Sequence, residues 1–283
     1  NVVFAGLLSV SPKQRSTAML SRKNQPVALV TGAGRRRIGN VVARWLAQEG
    51  YAVALHYHSS RAAAEETVAE VEAGGGSAAC FQADVSREAE VERLFDEHMN
   101  RFGRLDALVT TAAIWEPCGL EETTADDVRR HFEINALGTF LCCRRGGLIM
   151  ASQEQGGAIV AIGDWASVRP YRGYAAYFVS KGAIPTMTRD LAVELAARNP
   201  AVRVNAVLPG PVMLPEDLSE DERRRVVAAT LLKREGTPES VARTVLFLLQ
   251  NDYVTGVCIP VDGGRTIAGG EGDRSTSLRE TPR

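Results

Sequence analysis

Val27-Ala28-Leu29-Val30-Thr31-Gly32-Ala33-Gly34-Arg35-Arg36-Arg37-Ile38-Gly39 is a short apolar run, a glycine turn and three arginines. Four apolar residues ended by a glycine turn have the length of a buried strand. Beyond the turn Ile38, Val41, Val42, Trp45 and Leu46 return at helical spacing. Val53-Ala54-Leu55 then supplies a second apolar run, so the segment reads as strand, helix, strand, the crossover that parallel neighbours need. The glycines stand where a backbone turn approaches a pyrophosphate at a helix N-terminus. A tight turn with no ligand is the plainer reading of the same residues.

Outward from this unit the alternation continues. Apolar runs at Ala78 to Ala83, Ala107-Leu108-Val109, Ala158 to Ile162, Arg203 to Leu208 and Val257 to Val261 alternate with helical patterns. These cover Glu88 to Phe102, about Ala125 to Met150, about Tyr174 to Ala197, and Pro238 to Leu249. Seven apolar strands, nearly all separated by helix-length segments, predict an α/β fold. Its form is a single doubly wound, parallel, seven-stranded Rossmann-like sheet with helices on both faces. The domain is expected over residues 25–265. Residues 1–24 read as a disordered N-terminal extension and 266–283 as a mobile tail. The charged stretch Met213 to Glu235 has the length of a lid over a pocket.

The 283 residues are 45% hydrophobic and 24% charged, the make-up of an ordinary soluble globular chain. Lys plus Arg number 33 against 34 Asp plus Glu, so no global field gathers nucleic acid or an anionic membrane, and any anion site must be local. No run approaches the roughly 18 apolar residues of a membrane span. Cys80, Cys118, Cys142, Cys143 and Cys258 include no CxxC pair and have no accompanying His cluster, which argues against a disulfide framework and against a metal site. A reducing, cytoplasmic setting is expected. Val2 to Val10 is apolar and short, but basic Lys13 and Arg15 follow it rather than precede it. It therefore makes a poor secretory signal, and Met19 is the candidate natural start.

At the end of the second strand, roughly 20 residues beyond such a loop, an acidic residue ordinarily holds a ribose 2′-hydroxyl. Here that place reads His56-Tyr57-His58-Ser59-Ser60-Arg61. Imidazole, hydroxyl and guanidinium donors are present, and no carboxylate. With Arg35, Arg36 and Arg37 beside the loop they match a 2′-phosphate, so NADP rather than NAD is the expected cofactor. A solvated basic cluster, with His56 and His58 capping the strand, is the bland alternative. Asp84, after the third strand, suits an adenine amine or caps a helix starting at Ser86. Tyr177 and Lys181 lie four apart on a helix and share a face. An ammonium beside a phenol lowers its pKa from near 10 and eases proton donation.

Together, the Thr31 to Gly39 loop, Asn135, Tyr177 with Lys181, Pro209-Gly210 and the closing Val261-Asp262-Gly263-Gly264 make residues 25–265 resemble the short-chain dehydrogenase/reductase superfamily. The resemblance implies proton transfer by Tyr177, ribose binding and tuning of Tyr177 by Lys181, and a water-linked proton path at Asn135. It assigns to the cofactor Gly32, Arg36, Arg37 and Ile38 in the loop, and His56, Tyr57, His58 and Ser59 after the second strand. Asp84, Val85, Thr111 and Ala112 join them, with Tyr177, Lys181, and Pro209 and Gly210 beside the nicotinamide.

Most members of that superfamily carry serine thirteen residues before Tyr177, whereas this chain has Asp164. Pteridine reductases, a branch with aspartate there, are similar at several other positions. The His56-Tyr57-His58-Ser59 run resembles their cofactor segment, and Arg37-Ile38-Gly39 resembles their arginine-leucine-glycine. Trp115 falls where they set an aromatic ring against the flat pterin, and Tyr174 matches a second pocket tyrosine. Arg37, Trp115, Asp164, Tyr174 and Tyr177 are therefore the expected substrate-binding set, with Asp164 reading the heterocycle's polar edge. Simple loop packing of Trp115, and a drifted Asp164 in a degenerate site, are the bland alternatives.

The chain also departs from the family. Thr110-Thr111-Ala112 stands where the family has two asparagines and an alanine, removing amides that brace strand and cofactor. The loop has one more residue between Gly32 and Gly39, and Leu214 stands near a customary threonine. The expected activity is NADPH-dependent reduction of a pterin or dihydropterin by hydride transfer, with Asp164, Tyr177, Lys181 and Asn135 as the catalytic set. A 3-oxoacyl thioester or other carbonyl reductase needs Tyr177 and Lys181 but has no evident use for a carboxyl at Asp164. An NADP-sensing binding protein without turnover is the alternative from another class. The resemblance also implies a homodimer or homotetramer, paired through the helices that contain Asn135 and Tyr177.

Overall fold

The computed structural model describes residues 25–268; the expected N-terminal extension and residues 269–283 of the expected tail lie outside them. The strands are β1 (Val27–Thr31), β2 (Ala52–Tyr57), β3 (Ala78–Gln82), β4 (Ala107–Thr110), β5 (Gly157–Ile162), β6 (Val202–Pro209) and β7 (Cys258–Val261). They pair in parallel in the order β3-β2-β1-β4-β5-β6-β7. The helices are α1 (Ile38–Gln48), α2 (Arg61–Ala73), α3 (Glu88–Phe102), α4 (Ala125–His131), α5 (Gly138–Ala151), α6 (Ala175–Ala196), α7 (Glu220–Ala228) and α8 (Pro238–Gln250).

Every residue of β1, β2 and β4 is buried, because helices cover both faces of the sheet. Val30 packs with Val42 and Leu46 of α1 and Val245 of α8. Leu29, on the opposite face, packs with Leu94 and Phe95 of α3, Leu141 of α5 and Leu195 of α6. Each such side chain contributes about 1.5–3 kcal/mol by leaving water. Since β1 lies between β2 and β4, the winding reverses at its C-terminal end. That reversal opens the crevice in which such sheets hold ligands.

Two expectations are corrected, and a third gains an element. The helix read over Ala125 to Met150 is interrupted by a π-helical turn, Phe132–Leu137, at whose end Gly138 lies so close to Val85 that a Cβ would stand 2.9 Å from its Cγ2. The stretch 213–235 contains α7, which begins in a capping box of Ser219 and Glu222. It escaped the apolar pattern because none of its residues is buried. The tail does not begin at Thr266: its amide and hydroxyl both donate to Asp262 Oδ2 at 2.6 Å, which ties down the chain there. Among the described residues no helix is long and apolar enough to cross a membrane, and no group of three His, Cys, Asp or Glu could hold a metal ion.

Candidate active site

The glycine turn follows β1 at the crevice. Gly32 has φ +68, and a Cβ there would stand 2.7 Å from the backbone of Ala112, so no side chain fits. The hydroxyls of Thr31 and Thr111 hold the two strand ends together. Thr31 Oγ1 accepts from Thr111 N (3.1 Å) and Ala112 N (3.3 Å), and Thr111 Oγ1 donates to Thr31 O at 2.5 Å. Threonine thus supplies the brace that its substitution for asparagine was expected to remove. Asn40, which the sequence reading did not single out, is buried beneath the turn and donates to Ala33 O (3.1 Å) and Thr67 Oγ1 (2.7 Å).

The basic residues divide. His58 and Ser59 are exposed beyond the end of β2, and the exposed guanidiniums of Arg35 and Arg37 meet no carboxylate among the described residues. Arg36 turns towards Glu66 (3.7 Å) and Glu70 (3.5 Å) of α2, a solvent-exposed pairing of little energetic weight. His56 is corrected as a phosphate donor. It is 1% exposed, and its two ring nitrogens are spent on the Gly32 amide (3.1 Å) and the Ala83 carbonyl (3.0 Å). Tyr57 is buried beside it. Asp84 closes a turn, accepting from Ser86 N (3.0 Å) and Oγ (2.7 Å); α3 starts at Glu88, where its pattern predicts, with Arg87 as its N-cap residue, so Asp84 does not cap it.

At the C-terminal end of β5 the chain turns through Asp164 and then returns in α6 with Tyr177 and Lys181. Asp164 Oδ1 accepts from Ala166 N at 2.8 Å, and Oδ2 accepts from the Tyr177 hydroxyl at 2.7 Å. Lys181 is 3% exposed and donates to Ile162 O at 2.8 Å. These contacts reverse the expected tuning. Burial first, and then the Asp164 carboxylate, hold the Tyr177 phenol well above its ordinary value. Burial raises the Asp164 carboxyl and lowers the Lys181 ammonium to about 8. The shared proton therefore rests on Tyr177, whose nearest charge is a carboxylate and not the ammonium.

Asn135 is fully buried in the π-helical turn. Its amide donates to Ile114 O (2.9 Å) and Ser180 Oγ (3.0 Å) and accepts from Ile114 N (2.8 Å), and Ser180 in turn donates to Tyr177 O (2.6 Å). Its side chain thereby joins the loop after β4 to α6. One position on, Trp115 stacks on Tyr174 with ring centres 4.7 Å apart and planes 11° from parallel. Tyr171 lies edge-on to Tyr174 (5.2 Å) and to Phe178 (4.9 Å), and Trp165 lies at 6.2 Å from Tyr171 with Arg265 over its outer face. Trp115 and Tyr174 were expected here, whereas Tyr171, Trp165 and Phe178 follow no sequence period that would have signalled them.

Gly210 closes the far side: its amide donates to Val261 O (2.9 Å), and a Cβ would stand 2.5 Å from the Asp262 Cα. The stretch 213–235 is tied down at both ends. Leu214 N and Arg223 bind the Glu235 carboxylate (3.1 and 2.6 Å), and Gly263 O accepts from Leu231 N and Leu232 N (2.9 and 3.1 Å).

Comparison with known proteins places this arrangement. The model of a family described as enoyl-(acyl carrier protein) reductase matches residues 32–266. An uncharacterized oxidoreductase of Escherichia coli is 40% identical over 248 residues, which cover 84% of this chain and 99% of its own. A 3-oxoacyl-[acyl-carrier-protein] reductase of Synechocystis is 36% identical over 245 residues, 85% of this chain and 97% of its own. Among solved structures, acetoin dehydrogenase from Enterobacter cloacae aligns with a TM-score of 0.78 at 31% identity, over 87% of this chain and 98% of its own.

Proposed function

Because the chain belongs to the short-chain dehydrogenase/reductase superfamily, whose members use a nicotinamide cofactor, we propose that it is an NADPH-dependent reductase of a planar nitrogen heterocycle of the pterin or dihydropterin type. The observation that carries this reading is the 2.7 Å hydrogen bond to Asp164 from buried Tyr177, three residues along the chain from Tyr174, which stacks on Trp115. A carboxyl suits the ring N–H and amino groups of a pterin, and stacked aromatic rings suit its flat face.

The chain's residues fit the cofactor. Gly32, at φ +68 and packed against the Ala112 backbone, lets the chain turn from β1 towards the N-terminus of α1, where a dinucleotide phosphate would bind. Arg35 and Arg37, which meet no carboxylate among the described residues, with exposed His58 and Ser59, supply donors for a 2′-phosphate, and the sequence His56 to Arg61 after β2 has no carboxylate to bind a free 2′-hydroxyl. Lys181 is held to Ile162 O with donor capacity left for a ribose. When bound, NADPH supplies the hydride.

Proton delivery falls to Asp164 and Tyr177. The raised Tyr177 pKa makes the phenol alone a reluctant acid, whereas burial brings the Asp164 carboxyl closer to working pH. Asp164 takes a proton from solvent and delivers it to the substrate's nitrogen, directly or through the Tyr177 hydroxyl that it holds. Asn135 keeps α6 and the Trp115 loop in register for this transfer. We further propose a cytoplasmic enzyme, in keeping with its free thiols. Its subunits pair over a groove of about 540 Å³ lined by Phe132, Leu137, Phe140 and Met187.

A second reading is reduction of a ketone or 3-oxoacyl thioester, favoured by the relative named for that activity. Following cofactor absorbance with dihydrobiopterin, dihydrofolate and an acetoacetyl thioester, each with NADPH and with NADH, separates the readings. Turnover of a pterin with NADPH in preference to NADH is expected. Consumption of the thioester alone would establish the second reading, and NADPH binding without any turnover would make the protein a sensor.

A further inference from the structure

We propose that His56 is a positioning residue for the dinucleotide. From inside the molecule its neutral ring ties the glycine turn after β1 to the end of β3, and protonation of the ring releases that tie.

His56 is the fifth residue of β2, the strand between β1 and β3, and its ring is 1% exposed. A backbone amide only donates, so Nδ1, 3.1 Å from Gly32 N, carries no proton. A carbonyl only accepts, so Nε2, 3.0 Å from Ala83 O, carries one. The two contacts select one neutral tautomer. His56 also holds the next residue of the turn, since its carbonyl accepts from Ala33 N at 2.9 Å. Two successive amides of the glycine turn thus hang from one residue, which sets the peptide planes at the root of the loop. An imidazolium would put Nδ1–H against the Gly32 N–H, two donors face to face, and leave that amide without a partner.

The surroundings keep the ring neutral. Burial lowers its pKa to about 4. The Ala83 carbonyl and Asp84, past the end of β3, oppose the shift, and His58, past the end of β2, adds to it. Because the folded value lies below that of a free imidazole, the tie is complete above about pH 6.5. It is lost as pH falls through about 4. The inference rests on the reading of the turn as a nicotinamide dinucleotide site, and not on the substrate or on the choice between NADP and NAD.

Two variants separate the contacts. The His56→Asn carboxamide oxygen stands near the place of Nδ1 and keeps the Gly32 contact. His56→Gln reaches towards Ala83 and gives the Gly32 contact up. Calorimetric titration of NADP+ and NAD+ at pH 7.5, with thermal melts of each protein, is the test. His56→Asn should bind within about threefold of wild type and His56→Gln at least tenfold more weakly. Equal affinities in wild type and both folded variants would overturn the proposal, and a wild type that binds neither nucleotide would instead overturn the dinucleotide reading. Should His56→Gln fail to fold, imidazole nitrogen spectra of the wild type decide. They should show the Nε2–H tautomer at pH 7. NADP+ affinity, corrected for the free nucleotide's titration, should fall with the same midpoint as His56 protonation. The opposite tautomer, or separate midpoints, would overturn it.

Discussion

At the scale of single residues, the chemistry turns on a carboxyl that stands next to a phenol and is mostly out of water. Asp164 carries two hydrogen bonds, from Ala166 N and from Tyr177, yet burial outweighs them and its pKa stays raised. The linkage sign follows. A folded-state pKa above the unfolded one stabilises the fold at low pH, and that stabilisation is lost as pH rises through the folded value. Asp164→Asn should therefore raise Tm more at pH 8 than at pH 5 in thermal melts. A gain equal at both values would show that the carboxyl titrates normally. The same exchange, like Asp164→Ser, should lower pterin turnover by about 10²–10⁴-fold, the usual contribution of a positioned acid. NADP+ affinity by calorimetry should stay within about threefold.

At the scale of elements, the π-helical turn between α4 and α5 matters more than its six residues suggest. It carries Asn135 into contact with both polar groups of the Ile114 backbone and with Ser180 of α6. Without that amide the half-buried Ile114 amide and carbonyl lose their partner, which costs about 1–3 kcal/mol in total. Asn135→Ala should lose that much stability in urea unfolding. Because Trp115 follows Ile114, its stacking on Tyr174 should loosen as well, read as a shift in tryptophan fluorescence. The stretch 213–235 is likewise organised by few contacts. Glu235→Gln weakens the grip on Arg223, which at 2.6 Å is the tightest of them, and should speed limited proteolysis between α7 and α8 without moving the global melting transition.

At the scale of the whole molecule, doubly wound topology brings the glycine turn, the Thr31–Thr111 brace and the Asp164–Tyr177 pair to one edge of the sheet, while the apolar groove of α5 and α6 faces elsewhere. Phe132 and Leu137 leave 47% and 37% of their surface exposed beside that groove, an apolar area that a partner subunit would cover. Leu137→Arg should shift sedimentation velocity towards the monomer and leave NADP+ binding unchanged. A wild type that sediments as a monomer would remove the pairing.

By itself, the sequence determined the order of strands and helices, the glycine turn, and the shared face of Tyr177 and Lys181. Each is a local property: strands covered on both faces must be continuously apolar, and a helix repeats every 3.6 residues. It also named Asp164 and Trp115 through their place relative to those motifs. Only the tertiary structure decided that Lys181 bonds Ile162 O, that Asp164 is the charge nearest Tyr177, that Arg36 turns to α2, and that His56 faces inward to Gly32 and Ala83. Those outcomes depend on which strand ends and helix faces the crossovers bring together. A hydrogen-bonding partner 19 or 24 residues away leaves no periodic trace in the chain.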